Sequence, residues 1–250
     1  MKKYYILVVS LILLAISFRY VYHVAESVQS VSRASDTTVV HTPVMSRPYA
    51  STTEIVRGDT TKKQVIFTFD GGSTIQSAQS ILDVLKKHHV RGTFFLTGQT
   101  VVKYPELVSE IVRDGHEIFN HTYNHPKLTT LSDGEITNEL ARMDTELVKV
   151  TGVSSQPYFR APYGDRDARV RTVAYGAGYQ SVYWTVDALD WKEASGETNE
   201  SVTQRILSHV SPGTIYLMHM GDTITGDILD AVFTEIESRG YMIVPLTKGI

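Results

Sequence analysis

Two short stretches hold the residues with the most evident chemistry. "NHTYNH" places His121 and His125 four residues apart, and "QVIFTFDGGS" ends an apolar run on a single carboxylate, Asp70, followed by two glycines. Neutral imidazoles on one face of a helix or tight turn suit a borderline divalent cation. Nine histidines in 250 residues give roughly 0.3 pairs at this spacing by chance, so a pair of solvent-exposed loop histidines is the plain alternative. Asp70 is equally two-sided, because an acid at a strand tip is either a turn residue or a catalytic base. What decides is the other chemistry the fold brings to the same place.

From residue 62 onward, strand-like and helix-like patterns alternate. The strands read as "VIFTF", "GTFFLTG", "HEIFNH", "PYFRAPYG", "YQSVYWTVD", "GTIYLMH" and "YMIVPL". Between them lie a helix capped by Ser73 or Thr74 and running to His88, an amphipathic helix opened by Pro105, and the long helical run "SDGEITNELARMDTELVKVTG". Further helices are expected around residues 168–176, 200–210 and 228–239. About seven short parallel strands, each followed by a helix or long loop, predict an α/β fold, a distorted (β/α) barrel. Such a barrel carries its chemistry at the C-terminal ends of its strands. Asp70, His121, Arg160, Asp187 or Asp190, and His219 each sit at or just after the end of a different strand, so they are expected to converge on one rim.

The net charge of −3 shows no basic block, which argues against a nucleic-acid partner. The absence of cysteine excludes disulfides, thiolate metal sites and cysteine nucleophiles. The N-terminus begins with Lys2 and Lys3, continues apolar through Phe18, and carries on weakly past Arg19 to Ala25, the pattern of a signal anchor or signal peptide. Residues 26–61, rich in Ser, Thr, Val and Arg with Pro43 and Pro48, read as a linker or stalk that could add an edge strand. The expected organisation is therefore residues 1–25 for export, 26–61 for the stalk and 62–250 for the catalytic domain. The expected location is the cell membrane, single-pass with an extracytoplasmic domain, or the exterior if the N-terminus is cleaved.

In order and approximate spacing, "VIFTFDGGS", "RGTFFLTGQ", "DGHEIFNHTYNHP", "FRAPYG", "VDALDW" and "IYLMH" resemble the five motifs of the polysaccharide deacetylases, the metal-dependent NodB-homology enzymes. The resemblance covers residues 62–244. It implies Asp70 as general base, with His121 and His125 as ligands of one divalent metal, Zn first, with Co, Ni or Mn possible. Asn120 and Asn124 are nearby candidates to orient those imidazoles. It further implies Arg160 as the clamp on the base and Tyr163 as the position whose backbone N–H helps stabilise the oxyanion. His219 becomes the general acid, Asp190 its carboxylate partner with Asp187 the competitor, and Trp191 and Leu217 walls of the acetyl pocket. The implied reaction removes N-acetyl groups from amino sugars of a cell-wall or extracellular glycan, peptidoglycan foremost.

Two positions depart from the family pattern. Gly71 stands where the family has a second aspartate, the third metal ligand, and Phe119 stands where glycine is common. Catalytic zinc sites normally use three protein ligands. Either water or another side chain completes the shell, or Asp70 itself turns to the metal, or the domain is a degenerate, non-catalytic glycan-binding module. A related hydrolase of another C–N amide bond is the remaining alternative. Phe119 would narrow the cleft or pack inside the barrel.

Overall fold

The sheet is built around one strand buried along nearly its whole length. In the computed structural model, which describes residues 52–72 and 74–250, β1 (Gln64–Gly71) buries every residue after Gln64. It is flanked by β2 (Thr93–Leu96) and β7 (Thr214–His219). Strands buried on both faces read as continuous apolar runs, as this one does. The sheet continues through β3 (Glu117–Asn120), β4 (Tyr158–Phe159) and β5 (Gln180–Ser181) on one side and β6 (Val186–Asp187) on the other. The order is β5-β4-β3-β2-β1-β7-β6, with β8 (Met242–Ile243) pairing with the start of β1, and every pairing is parallel. The expected α/β architecture of about seven parallel strands, curled as a distorted barrel, is what forms.

Side-chain alternation divides the core. Ile66, Phe95, Phe119, Tyr158, Val182, Ile215 and Leu246 pack together on the inner face of the curl. Phe119 therefore fills the barrel, which decides between its two expected roles. Val65, Phe67 and Phe69 point the other way, into the layer formed with the helices, where Phe67 stacks on Tyr216 at 4.6 Å and meets Phe233 at 4.9 Å. Thr68 and Asp70 follow Ile66 up the inner face, so Asp70 arrives at the rim pointing inward.

The helices that cover the outer face are α1 (Ala78–Lys87), α2 (Gly98–Lys103), α3 (Pro105–Arg113), α4 (Asp133–Thr151), α5 (Ala168–Gly176), α6 (Asn199–Ser208) and α7 (Ile224–Ser238), whereas the short α8 (Leu246–Gly249) packs on the inner side through Leu246. α4 is the best specified: Ser132 and Glu135 form a reciprocal capping box and Gly152 closes it at φ 74°. α1 begins later than expected, with Ser77 at its N-cap, because Ser77 N donates to Met220 O and ties the loop to the end of β7 first. α2 was not anticipated; Thr97 caps it by accepting from Thr100 N. "YQSVYWTVD" is not one strand. It supplies β5 and β6, which lie at opposite ends of the sheet.

The predicted export segment and most of the stalk lie outside the described residues. Among those described, no helix is long and apolar enough to cross a membrane. The end of the predicted stalk is part of the domain: Ile55 bridges Val182, Glu54 pairs with Arg166 at 2.9 Å, and Gly58 N donates to Gly213 O at 2.7 Å. Gly213 sits at φ 74°, and a Cβ there would lie 2.5 Å from Gly58 O. Gly213→Ala is accordingly expected to cost roughly 1–3 kcal/mol, read from the shift of a urea denaturation midpoint.

Candidate active site

Several strand ends each deliver one chemical group. β1 carries Asp70 one residue before its end, and β7 ends on His219, its Cα partner in the parallel register. Arg160 follows β4 directly and is fully buried. Its Nη1 donates to Asp70 Oδ1 at 2.6 Å and to Thr68 Oγ1 at 2.8 Å, while Nη2 donates to Tyr183 O at 3.1 Å. The guanidinium lies 4.1 Å from the centre of the Phe95 ring. Asp70 thus has one oxygen held, and its Oδ2 faces His121 Nε2 at 3.5 Å.

His121 and His125 meet in a loop rather than on a helix. Thr122 and His125 adopt φ 65° and 60°, an unfavourable region for a β-branched residue. The rings meet edge to face, with the two Nε2 atoms 3.2 Å apart. His121 Nδ1 lies 2.8 Å from Arg160 O; a carbonyl only accepts, so Nδ1 carries the proton and Nε2 presents its lone pair. Burial lowers the pKa of His121, and burial together with His121 beside it lowers His125 to about 4. Both imidazoles are therefore neutral across ordinary pH.

The asparagines expected to orient these rings do other work. Asn120 reaches away to Leu140 O, Ser155 Oγ and Tyr179 OH, while its Oδ1 accepts from Thr122 N. Asn124 bonds to Glu139, and the orienting group for His121 is the backbone carbonyl of Arg160.

Of the two aspartates considered for His219, Asp190 is the partner. His219 Nδ1 lies 2.9 Å from its Oδ1, and His219 N donates to Oδ2 at 2.6 Å. Thr225 Oγ1 and Trp191 N donate to the same carboxylate. Asp187 instead accepts from Leu189 N in its own turn. Burial pulls the His219 pKa down, but the hydrogen bond and charge of Asp190 outweigh it and push it up to about 9. Burial raises Asp190 in turn, and the bonds from His219 bring it below its ordinary value.

These groups open into one cleft of about 520 Å³, to which Tyr163, Trp191 and Gln99 also contribute. Tyr163 is 66% exposed, with its ring 4.5 Å from that of His125; Trp191 is 53% exposed. Leu217 does not reach the cleft wall, because it is buried on β7 below His219. Gly71 faces the outer layer, as alternation after Asp70 requires: a Cβ there would lie 2.6 Å from Leu96 Cδ2 and 3.3 Å from Met220 Sδ.

An inward carboxylate clamped by a buried arginine, a neutral histidine pair and a charged histidine stand together at one rim, at the positions the motifs single out, with Gly71 the departure among them. The profile described as "Polysaccharide deacetylase" matches residues 57–182. The chain belongs to the polysaccharide deacetylase family. It is 36% identical to the peptidoglycan-N-acetylmuramic acid deacetylase PdaA of Bacillus subtilis, over 74% of this chain and 70% of that one. It is 34% identical to a peptidoglycan-N-acetylglucosamine deacetylase of Bacillus cereus, over 76% and 69%. Among solved structures, a family-4 carbohydrate esterase pseudoenzyme from Bacillus anthracis superposes with a TM-score of 0.74 at 32% identity, covering 79% of this chain and 69% of the other.

In this polysaccharide deacetylase chain, the histidine pair fits a divalent ion: two neutral imidazoles converge on their Nε2 atoms, with Asp70 Oδ2 as the anionic donor beside His121. Among the described residues, the group of three whose donor atoms all lie within 4.8 Å of one another is a different one, Asp190, His219 and Asp222. Asp190 already accepts four hydrogen bonds there. Burial and Asp190 push Asp222 up to about 7, and its Oδ2 is buried without a partner. The cluster is a further candidate for a cation, which would have to displace hydrogen bonds that Asp190 already accepts.

Two outcomes follow. His219 carries more charge folded than unfolded between pH 6.5 and 9. The stability this contributes is complete below pH 6.5 and is lost as the pH rises through about 9. Asp190→Asn should bring the His219 titration, followed by ring NMR shifts, below its ordinary value, and should remove that pH dependence of Tm. Gly71→Asp should lower stability by about 1–3 kcal/mol in denaturant titrations without tightening zinc binding. A clear gain in zinc affinity would show that its carboxylate reaches the histidines.

Proposed function

We propose that the chain hydrolyses N-acetyl groups on the amino sugars of peptidoglycan, with one divalent ion, zinc first, held by His121 and His125. The reading is supported foremost by the pairing of a clamped carboxylate and a charged imidazole on adjacent strand ends. A binding module has no need for both. When bound, the ion supplies Lewis-acid polarisation of the acetyl carbonyl and an acidified water.

The chain's own groups do the rest. Arg160 holds Asp70 Oδ1, leaving Oδ2 to accept the proton of the attacking water. As the new C–O bond forms and the amide C–N bond breaks, the amine nitrogen needs a proton. His219 is the donor: its Nδ1 is engaged by Asp190, so Nε2 faces the cleft. Acetate and a free amine leave. Tyr163 and Trp191 offer aromatic surface to sugar rings beside the reacting group. The export-like N-terminus supports action outside the cytoplasmic membrane, on an anchored or secreted protein.

A second reading has its own support. The similarity to a pseudoenzyme, together with Gly71, favours a glycan-binding protein whose metal site is degenerate. A mutant of that pseudoenzyme, described as having restored enzymatic activity, superposes equally well, with a TM-score of 0.75 at 33% identity, covering 79% of this chain and 71% of the other.

Acetate release from peptidoglycan, from N-acetylglucosamine oligomers and from N-acetylmuramic acid-containing strands decides between the readings and names the sugar. Zinc-dependent release is expected, abolished by chelator and lowered about 10²–10⁴-fold in Asp70→Asn and His219→Ala. Absence of release from all three, with glycan binding unchanged in both variants, would establish the binding module instead.

A further inference from the structure

Glu139 lies on α4, a helix with no motif residue, yet its carboxylate is buried against the loop that carries the histidine pair. Its Oε2 accepts from Tyr123 N at 2.9 Å and Asn124 N at 2.7 Å, and its Oε1 accepts from Asn124 Nδ2 at 2.6 Å. Among the described residues no Lys, Arg or His forms an ion pair with it. The three hydrogen bonds its carboxylate accepts all come from the two residues between Thr122 and His125.

The other amides of the loop complete the pattern. His121 N donates to Leu96 O, Thr122 N to Asn120 Oδ1, and His125 N to Thr122 Oγ1. On the opposite side, Gly98 N and Gln99 N at the start of α2 donate to Thr122 O and Tyr123 O. Each amide from 121 to 125 therefore has an acceptor, and Glu139 supplies the third and fourth. The two left-handed residues, Thr122 and His125, flank the segment that it grips. Without that grip, rotation about Tyr123 and Asn124 would relieve both and carry the His125 ring away from His121.

We propose that Glu139 is a positioning residue that sets the spacing of the two histidines by holding the Tyr123–Asn124 backbone. It acts through the loop and touches neither ring. Its consequence for metal affinity rests on the reading of His121 and His125 as ligands, whereas its grip on the loop does not.

The test compares the parent with Glu139→Ala, Glu139→Gln and Leu147→Ala, the last a buried apolar truncation on the same helix that reports general loss of stability. Zinc affinity is read by competition with a chromophoric chelator, site geometry by the visible spectrum of bound Co²⁺, and the loop by amide hydrogen exchange in metal-free protein. Glu139→Ala should weaken zinc about 10–100-fold and change the Co²⁺ spectrum, with lost protection at Tyr123, Asn124 and His125. Glu139→Gln keeps one acceptor oxygen and should fall between it and the parent. Leu147→Ala should keep parental affinity and spectrum despite its lower stability.

If Glu139→Ala does not fold, Glu139→Gln alone decides, and parental zinc affinity, spectrum and exchange in it would overturn the proposal. Equal weakening in Leu147→Ala would overturn it too. A parent that binds no zinc defeats the reading of the metal site, and exchange at the three amides then decides the role of Glu139.

Discussion

The buried pair of Arg160 and Asp70 is the constraint on which the site is built. A guanidinium with no solvent exposure has lost its hydration and is tolerable only where fixed oxygens and a counter-charge replace it. Asp70, Thr68 and Tyr183 O supply them, from β1 and from the segment after β5. The same residue's backbone extends the constraint: Arg160 N donates to Asn120 O, continuing the parallel pairing, and Arg160 O fixes the tautomer of His121. One residue thereby orients Asp70 and His121 together.

The three histidines of the site show how environment assigns proton states. His121 and His125 are pressed together, where a charge on either is costly, so both are held neutral. His219 is also enclosed, but Asp190 engages both its ring nitrogen and its backbone N–H, and it stays charged. Asp190 can hold that charge because Thr225 and Trp191 also donate to it. Two neutral imidazoles and a charged one thus sit on one rim, their proton states set apart by their surroundings.

Much of this was legible in the sequence, for identifiable reasons. Strand-end placement of Asp70, His121, Arg160 and His219 follows from apolar runs that stop at a polar residue, and period-two and period-3.6 patterns survive in a single sequence. The split of "YQSVYWTVD" into two strands at opposite ends of the sheet was not legible, since both halves are equally strand-like and only the closing of the curl separates them. Nor was the choice of Asp190 over Asp187, which depends on the turn at Leu189 with φ 64°. Glu139 was hidden because a glutamate inside a well-capped helix looks like a solvated face. The one available signal was its neighbour Leu140, which places that turn of α4 against the sheet.

Gly71 shows why family membership and activity are separate questions even when the motifs align. A side chain at the position after Asp70 begins on the outer face of β1, among Leu96 and Met220, so a carboxylate there must turn back around the strand end to join the histidines. In this chain, apolar side chains occupy that path. The anionic donor that remains beside the pair is Asp70 itself, through the oxygen that Arg160 leaves free. Because Arg160 binds the opposite oxygen, Asp70 can lean toward a cation without losing its clamp. The position after Asp70 therefore offers no anionic donor to the histidine pair, and the carboxylate that does lie beside the pair is the one that Arg160 also holds, so a single side chain is tied at once to the guanidinium and to the imidazoles.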